Sequence, residues 1–214
     1  HLYRYYEERE DAKKAAKWTE KAALSGDSDA MWLIGCYYRR GYGVEEDFGK
    51  AFKWFQKSAK EGNAFGMTLF GDCYRDGEEC EQDLSLAVEW YEKAAALEDD
   101  WAMCRLGMLY DEGSGVPENP ALAAQWYQKS SELGNSEAMY YLAECYEYGT
   151  GVEENDAEAR KWYRKAADEG YAPAQRRMGG YSAADEMYTG ALHWYEMAAG
   201  GDAGAFGGVR ADGL

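Results

Sequence analysis

Tryptophan recurs in this chain at a fixed interval. Five tryptophans are each separated by 36 residues and a sixth follows after 32, at Trp18, Trp54, Trp90, Trp126, Trp162 and Trp194. Each lies in a copy of one segment, and the copies read KWTEKAA, KWFQKSA, EWYEKAA, QWYQKSS, KWYRKAA and HWYEMAA. Self-similarity at a period of roughly 20–50 residues is typical of arrays of stacked supersecondary units. The sequence therefore predicts a repeat protein.

A second set of columns lies between the tryptophans and predicts a second helix in each repeat. These segments read AMWLIGCYYRRGYGV, GMTLFGDCYRDGEEC, AMCRLGMLYDEGSGV and AMYYLAECYEYGTGV. Apolar or small residues recur at helical spacing in the first of them, at Ala30, Met31, Ile34, Gly35 and Tyr38. The tryptophan segment has the same spacing, at Ala51, Trp54, Phe55, Ser58 and Ala59. Small residues such as Gly35 predict close helix approach, and the tryptophans are predicted to be core, so that Trp126→Ala costs about 3–5 kcal/mol.

Residues that start and stop helices agree with this reading. Capping side chains precede the tryptophan helix at Asp47, Asp83, Asn119 and Asn155, with Pro120 at a first helical position. Glycines end that helix at Gly62, Gly134 and Gly170, and new caps follow at Asp27, Asn63, Asp99 and Asn135. Connections this short place successive helices antiparallel. The predicted fold class is all-α, with stacked antiparallel helix pairs.

The repeat pattern AxxxLGxxYxxGxGVxxDxxKAxxWYxKAAxxGx resembles the Sel1-like repeat, a relative of the tetratricopeptide repeat. The match is best over 30–63 and 102–135 and recognisable over about 11–202, although Glu79 and Ala143 replace expected glycines. The resemblance implies a right-handed α-solenoid, or superhelix. We expect one solenoid domain over 1–202, with a partial repeat at 1–26 and repeats at 27–62, 63–98, 99–134, 135–170 and 171–202. The glycine-rich tail, 203–214, is predicted to be loosely ordered.

The stretch GSGV at 113–116 looks like a phosphate-binding loop, but its setting argues against that function. It recurs as GYGV and GTGV, always after a helix, and no GK[ST] follows. Neighbouring carboxylates such as Glu118 would repel an anion. We interpret GxGV as a helix-to-helix connector whose valine packs between helices.

Composition narrows the class of partner. The chain has 40 Asp and Glu against 23 Lys and Arg, for a net charge of −17, which disfavours nucleic acid. No run approaches the roughly 18 apolar residues of a spanning helix, so a soluble chain without membrane insertion is expected.

The five cysteines are odd in number and form no CxxC pair, so a disulfide framework or zinc site is disfavoured. That count favours a cytoplasmic compartment. A Cys73–Cys80 bridge, the compartment and a natural start upstream of His1 are left open.

Catalysis is not predicted. The chain has two histidines, His1 and His193, and contains no HExxH or GxSxG motif. We predict no catalytic residue, no metal site and no cofactor.

The resemblance implies that the first helix of each repeat lines a concave wall that binds a protein or peptide. Side chains opposite the core stripe are Trp32, Leu33, Cys36, Tyr37 and Arg40; Thr68, Leu69, Asp72 and Asp76; Cys104, Arg105, Met108 and Glu112; Tyr140, Tyr141, Glu144 and Tyr148. The predicted partner-binding set contains all of these side chains except Cys36, Thr68, Leu69 and Cys104.

The strongest predicted anchors are Trp32, Arg40, Arg105, Tyr140 and Tyr141, with packing of Trp32 and Tyr141 on a neighbouring repeat left open. The predicted function is a non-catalytic scaffold or adaptor. The alternatives are an enzyme or enzyme module acting on cell-wall material, and a structural spacer between flanking domains.

Overall fold

The computed structural model describes residues 2–184 and 187–204, which form helices and turns without a β-strand. The chain divides into two compact units, His1–Glu118 and Asn119–Leu214. The predicted tail, 203–214, lies outside the described residues from 205 onward. Within the described part, no helix is long and apolar enough to cross a membrane.

The first unit contains six helices in its described residues, each packed on the next. They are α1 (Leu2–Leu24), α2 (Ser28–Arg40), α3 (Phe48–Lys60), α4 (Ala64–Asp76), α5 (Leu84–Ala95) and α6 (Asp100–Glu112). The pairs α2–α3 and α4–α5 correspond to the predicted repeats. In addition α2 contacts α4 and α4 contacts α6, so the first helices of successive pairs lie side by side.

The second unit continues the alternation. Its described helices are α7 (Pro120–Glu132), α8 (Ser136–Tyr148), α9 (Asp156–Asp168), α10 (Ala172–Ala184) and α11 (Tyr188–Gly204). Each packs on the next one along the chain. The predicted fold class, stacked pairs of antiparallel helices, is confirmed.

The predicted helix caps are confirmed in both units. Asn119 accepts a hydrogen bond from the Leu122 amide at 3.1 Å, with Pro120 in the first turn of α7. The other seven predicted caps accept backbone N–H bonds in the same way, at Asp27, Asp47, Asn63, Asp83, Asp99, Asn135 and Asn155. Each satisfies donors that a helix start otherwise leaves without a partner.

The GxGV segment connects the first helix of a pair to the second, as predicted. Its second glycine, Gly115 or Gly151, has a positive φ of 75° or 74° and lies against the first turn of the preceding second helix. A Cβ at 115 would lie 2.5 Å from the Leu84 Cβ, and one at 151 would overlap the Pro120 carbonyl. The connector after α6 therefore packs on α5, and the connector after α8 packs on α7, which explains the second glycine of each.

Glycine also allows the two helices of a pair to approach. A Cβ added at Gly71 would lie 2.7 Å from the Tyr91 ring, and one at Gly35 would lie 2.5 Å from the Phe55 ring. These rings are fully buried, as are those of Tyr127 and Tyr163 at the same point of later repeats. The predicted close approach at Gly35 is confirmed.

The prediction that the repeated tryptophans are core is wrong in part. Trp54 is buried at 8% exposure, but Trp18 is 66% exposed and Trp90, Trp126 and Trp162 are half-buried. The ring that follows each tryptophan in α3, α5, α7 and α9 takes the deepest position instead. Two adjacent helical residues are about 100° apart around the axis, so both cannot point straight at the partner helix.

A lysine three residues later covers the outer face of each of these tryptophans. The distances from lysine Nζ to ring centroid are 4.4 Å for Lys21–Trp18, 4.3 Å for Lys57–Trp54, 4.2 Å for Lys93–Trp90, 4.5 Å for Lys129–Trp126 and 4.1 Å for Lys165–Trp162. This geometry is a cation–π contact. From α3 to α9, each repeated tryptophan is therefore buried or half-buried in the fold and has a lysine over its ring.

All five cysteines are free thiols, and four of them are buried. The Cys80 thiol contacts the Cys73 carbonyl oxygen at 3.5 Å and is not bonded to the Cys73 sulfur. Burial raises the pKa of Cys73 to about 12 and also raises the pKa values of Cys36 and Cys80. These thiols are therefore protonated at neutral pH, which disfavours reactivity.

Candidate functional site

The predicted partner-binding side chains are all exposed or half-buried, and they lie on the first helix of each pair. Those on α2, α4 and α6 form what we call the α2/α4/α6 surface: Trp32, Leu33, Tyr37, Arg40, Asp72, Asp76, Arg105, Met108 and Glu112. In the second unit, Tyr140, Tyr141, Glu144 and Tyr148 of α8, together with Glu147, Arg177 and Tyr181, form the α8/α10 surface. Each surface belongs to one unit.

Four side chains that the helical wheel placed opposite the core stripe are buried. Cys36, Thr68, Leu69 and Cys104 are between 0% and 9% exposed. They were expected to lie on the concave wall, although not in the partner-binding set, because a helical wheel describes one helix with a single packed side. A first helix also packs against the first helices of neighbouring pairs, and these four side chains lie on such helices.

Aromatic rings at one end of the α2/α4/α6 surface are held in place by contacts between pairs. Trp32 of α2 meets Phe65 of α4 edge-on at 4.8 Å between centroids. Its indole N–H also donates to Asp29 at 3.4 Å. The sequence left open whether Trp32 packs on a neighbouring repeat or faces a partner. In the structure it packs on the next pair and also remains partly exposed. A preorganised aromatic side chain loses little entropy on binding.

Asp72 is the electrostatic centre of the α2/α4/α6 surface. It accepts a hydrogen bond from the Tyr91 hydroxyl at 2.7 Å and lies 3.0 Å from Arg75 and 3.6 Å from Arg105. Asp76 holds the other side of Arg75 through two hydrogen bonds at 2.7 and 2.8 Å. The arrangement fixes two guanidinium groups from neighbouring helices at the surface.

The α8/α10 surface has a similar network around Glu147. Its carboxylate accepts hydrogen bonds from the hydroxyls of Tyr163 and Tyr181, both at 2.8 Å, and pairs with Arg177 at 2.5 Å. Arg177 also donates to the hydroxyl of Tyr148 at 3.0 Å, and Tyr148 is 63% exposed. Arg177 therefore connects a network near the core to an exposed ring.

Tyr140 and Tyr141 lie in a cluster of tyrosine rings beside that network. Tyr141 stacks on Tyr127 at 5.3 Å, and Tyr140 contacts Tyr163 and Tyr171 at 5.4 and 5.5 Å. The Tyr140 hydroxyl donates to Glu144 at 2.9 Å. Tyr141, like Trp32, both packs within the fold and remains half-exposed.

The pKa shifts of three tyrosines and of Glu147 leave these groups in their ordinary charge states at neutral pH. Burial, followed by the Glu144 hydrogen bond, raises the pKa of Tyr140 to about 12, and burial also raises the pKa of Tyr91 and Tyr163. Burial acts to raise the pKa of Glu147, but hydrogen bonds from Arg177, Tyr163 and Tyr181 outweigh it and lower the pKa. General acid–base catalysis needs a pKa near the working pH, and the shifts of these four groups lead away from neutral pH.

The repeat family is decided by the sequence match together with this helical geometry. The Sel1 repeat family model matches residues 1–27, 28–63, 64–99, 102–135, 136–171 and 172–201. The chain belongs to the Sel1 repeat family. Sel1 repeat proteins are generally non-catalytic scaffolds for protein interactions.

Solved Sel1 repeat structures share the fold. A Sel1 repeat protein from Oxalobacter formigenes is 30% identical with a TM-score of 0.81, and the match covers 87% of this chain and 76% of that one. The c5321 protective antigen of uropathogenic Escherichia coli is 35% identical with a TM-score of 0.71, covering 88% of this chain. This chain spans only 41% of the antigen's length. A search of curated proteins finds no match.

Several residues of these surfaces were missed from the sequence although the Sel1 repeat period could have found some. Arg177 lies 72 residues, or two repeats, after Arg105, and Tyr181 occupies the column of Tyr37. Continuing the same columns into the fifth repeat would have added both. Phe65, which holds Trp32, lies next to the start of α4, outside the columns from which the partner-binding set was predicted.

Metal chemistry has no visible site in the part that the structure describes. Among those residues, no group of three or more His, Cys, Asp or Glu side chains is arranged to hold a metal ion.

Proposed function

We propose that this Sel1 repeat protein is a non-catalytic scaffold that binds a protein or peptide segment through the α2/α4/α6 and α8/α10 surfaces. The observation that carries the proposal is that aromatic rings and arginines at these surfaces are held in place by contacts within the fold. Trp32 is fixed by Phe65, and Arg177 is fixed by Glu147 beside the exposed Tyr148 ring. Aromatic and arginine side chains dominate the energetics of protein interfaces.

Charge supports a protein partner over a uniformly charged polymer. The main acidic groups, Asp72 and Glu147, are paired with Arg75 and Arg177. A surface with rings, paired charges and hydroxyl groups offers both apolar contact and hydrogen bonds, as protein interfaces do. The net charge of −17 disfavours nucleic acid.

The test is a triple variant, Trp32→Ala with Tyr140→Ala and Tyr141→Ala. Partners are first identified by affinity capture from native lysate with mass spectrometry, and their affinity is then measured by calorimetry. We expect the triple variant to bind at least about tenfold more weakly, equivalent to about 1.4 kcal/mol. A matched control replaces three exposed apolar side chains outside these surfaces, Trp18, Leu133 and Leu192, with alanine.

Folding has to be checked because Tyr140 and Tyr141 also pack within α8/α10. A milder variant, Tyr148→Ala, removes a 63% exposed ring without opening the core. Equal affinity of the parent, the triple variant and Tyr148→Ala for an identified partner would contradict the proposal.

A further inference from the structure

A recess lies where α1, the turn after it, α2 and α3 meet, and it includes no residue of the two surfaces described above. We call it the α1–α3 recess, and its volume is about 330 Å³. Its apolar lining includes Ala23, Met31 and Trp54, which are buried at 1%, 7% and 8% exposure. Leu24 also lines the recess and is 71% exposed. The volume is at the lower end of ligand pockets, about 300–1,000 Å³, which suits one or two side chains.

Two lysines give this apolar recess a positive edge. Lys57 lies with its ammonium group 4.3 Å from the centroid of the Trp54 ring, and Lys60 follows one helical turn later. Both are exposed, and in the described part of the chain neither is within ion-pair distance of a carboxylate. Glu61 is the acidic residue of the lining. Elsewhere, Arg75 and Arg177 form close ion pairs.

This positive edge contrasts with the rest of the chain. Residues 11–62 contain ten Lys and Arg against eight Asp and Glu, whereas residues 63–118 contain three against fourteen. The position of Lys60 is taken by Ala96, Glu132 and Asp168 in the following repeats. A lysine there is therefore not required by the repeat fold.

We propose that the α1–α3 recess docks a short segment of a partner protein that presents a large apolar side chain next to a carboxylate. The apolar side chain enters between Met31, Trp54 and Leu24, and the carboxylate pairs with Lys60 and Lys57. Charge complementarity favours an acidic segment, because the two exposed ammonium groups of Lys57 and Lys60 would repel a basic one. This site is independent of the proposed function of the other surfaces.

The test uses three short peptides, N-acetylated and C-amidated. The first has Asp-Leu-Glu at its centre, the second Lys-Leu-Lys, and the third Asp-Ser-Glu. Binding to the full chain is followed up to millimolar concentration by NMR, through the indole N–H signal of Trp54. We expect the first peptide to bind at least about tenfold more tightly than the other two, a difference of about 1.4 kcal/mol.

The variant Lys57→Glu with Lys60→Glu is expected to weaken binding of the first peptide at least tenfold. The matched control is Lys129→Glu with Lys165→Glu, which reverses two lysines at the position of Lys57 in α7 and α9. If loss of the Lys57–Trp54 contact perturbs folding, Lys60→Glu alone provides the comparison. Equal binding of the three peptides, no binding at millimolar concentration, or unchanged affinity in the lysine variants would each overturn the proposal.

A second copy of this chain could offer similar chemistry through its exposed Leu97 and Glu98. Sedimentation of the parent across protein concentrations tests this occupant. A dimer that is lost in the Lys57→Glu, Lys60→Glu variant would overturn the partner-protein proposal in favour of self-association. A monomer at all concentrations, together with the expected peptide preference, supports it. Unchanged peptide affinity in the Trp32, Tyr140, Tyr141 variant separates this site from the other surfaces.

Discussion

At the scale of single residues, two glutamates occupy positions where the other repeats use glycine. Glu79 and Glu98 have positive φ angles of 58° and 61°. The column of Glu98 holds Gly62, Gly134 and Gly170, all with positive φ as well. A left-handed conformation costs a residue with a Cβ about 1–2 kcal/mol. The second repeat therefore stores backbone strain that its neighbours avoid.

We expect Glu98→Gly to stabilise the protein by about 0.5–1 kcal/mol, because relief of the strain outweighs the added freedom of the unfolded chain. Denaturant unfolding followed by circular dichroism measures the change. The reverse replacement at the matching position, Gly134→Ala, is expected to cost about 1 kcal/mol. Its side chain would meet no other atom within 4 Å, so the cost comes from the backbone alone. A Glu98→Gly variant that is less stable than the parent would contradict this reasoning.

Asp99 is a second residue that lowers the stability of the folded protein. It caps α6 through the Ala102 amide and accepts the Thr68 hydroxyl at 2.9 Å. Burial raises its pKa despite these two hydrogen bonds. Asn63 and Asn135 cap the equivalent helices without a charge. The carboxylate of Asp99 is therefore unfavourable in the folded state.

We predict that Asp99→Asn stabilises the protein at neutral pH. A raised folded-state pKa means that the folded state binds the proton more tightly than the unfolded state, so the penalty is present above the folded pKa. It disappears as the pH falls below the ordinary value of about 4. The gain from the variant should therefore shrink between neutral pH and about pH 4 in denaturant titrations. Asp27→Asn, at an exposed cap, is the control and should change stability by less than about 0.5 kcal/mol. A stability gain of Asp99→Asn that grows towards low pH would contradict this prediction.

At the scale of the helix, the contact between a glycine and a buried ring sets the distance between the two helices of a pair. We expect Gly71→Ala to destabilise the protein by about 1–3 kcal/mol, because its methyl group would overlap the Tyr91 ring in a packed core. The matched change is Gly180→Ala in α10, where a Cβ meets no atom within 4 Å. There the better helix propensity of alanine should raise stability by up to about 1 kcal/mol. Thermal melts of the two variants should move in opposite directions, and a Gly71→Ala melt at or above the parent's would disprove the contact.

Helices and their ends could be predicted from the sequence, whereas the depth of individual side chains could not. Caps such as Asn119 act through bonds a few residues away, so local sequence determines them. Trp126 and Tyr127 are adjacent and recur equally regularly, so periodicity cannot tell which one is buried. The answer depends on the opposing helix. The burial of Thr68 and Leu69 likewise comes from packing among α2, α4 and α6, which a single-helix projection omits. The single domain over 1–202 stays a prediction.

At the scale of the whole molecule, the charge is unevenly distributed along the chain. The excess of acids is concentrated in residues 63–118, and the two acidic residues of α5, Glu89 and Glu92, are both exposed. Mutual repulsion of like charges destabilises a compact state, and salt screens it over about 10 Å at 0.1 M. The folded protein therefore carries an electrostatic cost that depends on ionic strength.

We expect the unfolding midpoint to rise when NaCl is increased from about 20 mM to about 500 mM, by an amount equivalent to about 1 kcal/mol. Denaturation by urea, which adds no ions, provides the measurement. A Glu89→Gln, Glu92→Gln variant should be more stable than the parent at low salt and should respond less to added salt. A midpoint that falls with salt would show that attractive ion pairs outweigh the repulsion.

The connector glycines give the array a direction. Gly71 meets a ring of its own repeat, but Gly115 and Gly151 rest on the first turn of a helix that comes earlier in the chain. During synthesis on the ribosome, that earlier helix has already emerged when the glycine follows it. Each new repeat can therefore dock on a finished surface, without waiting for residues that are still to be translated.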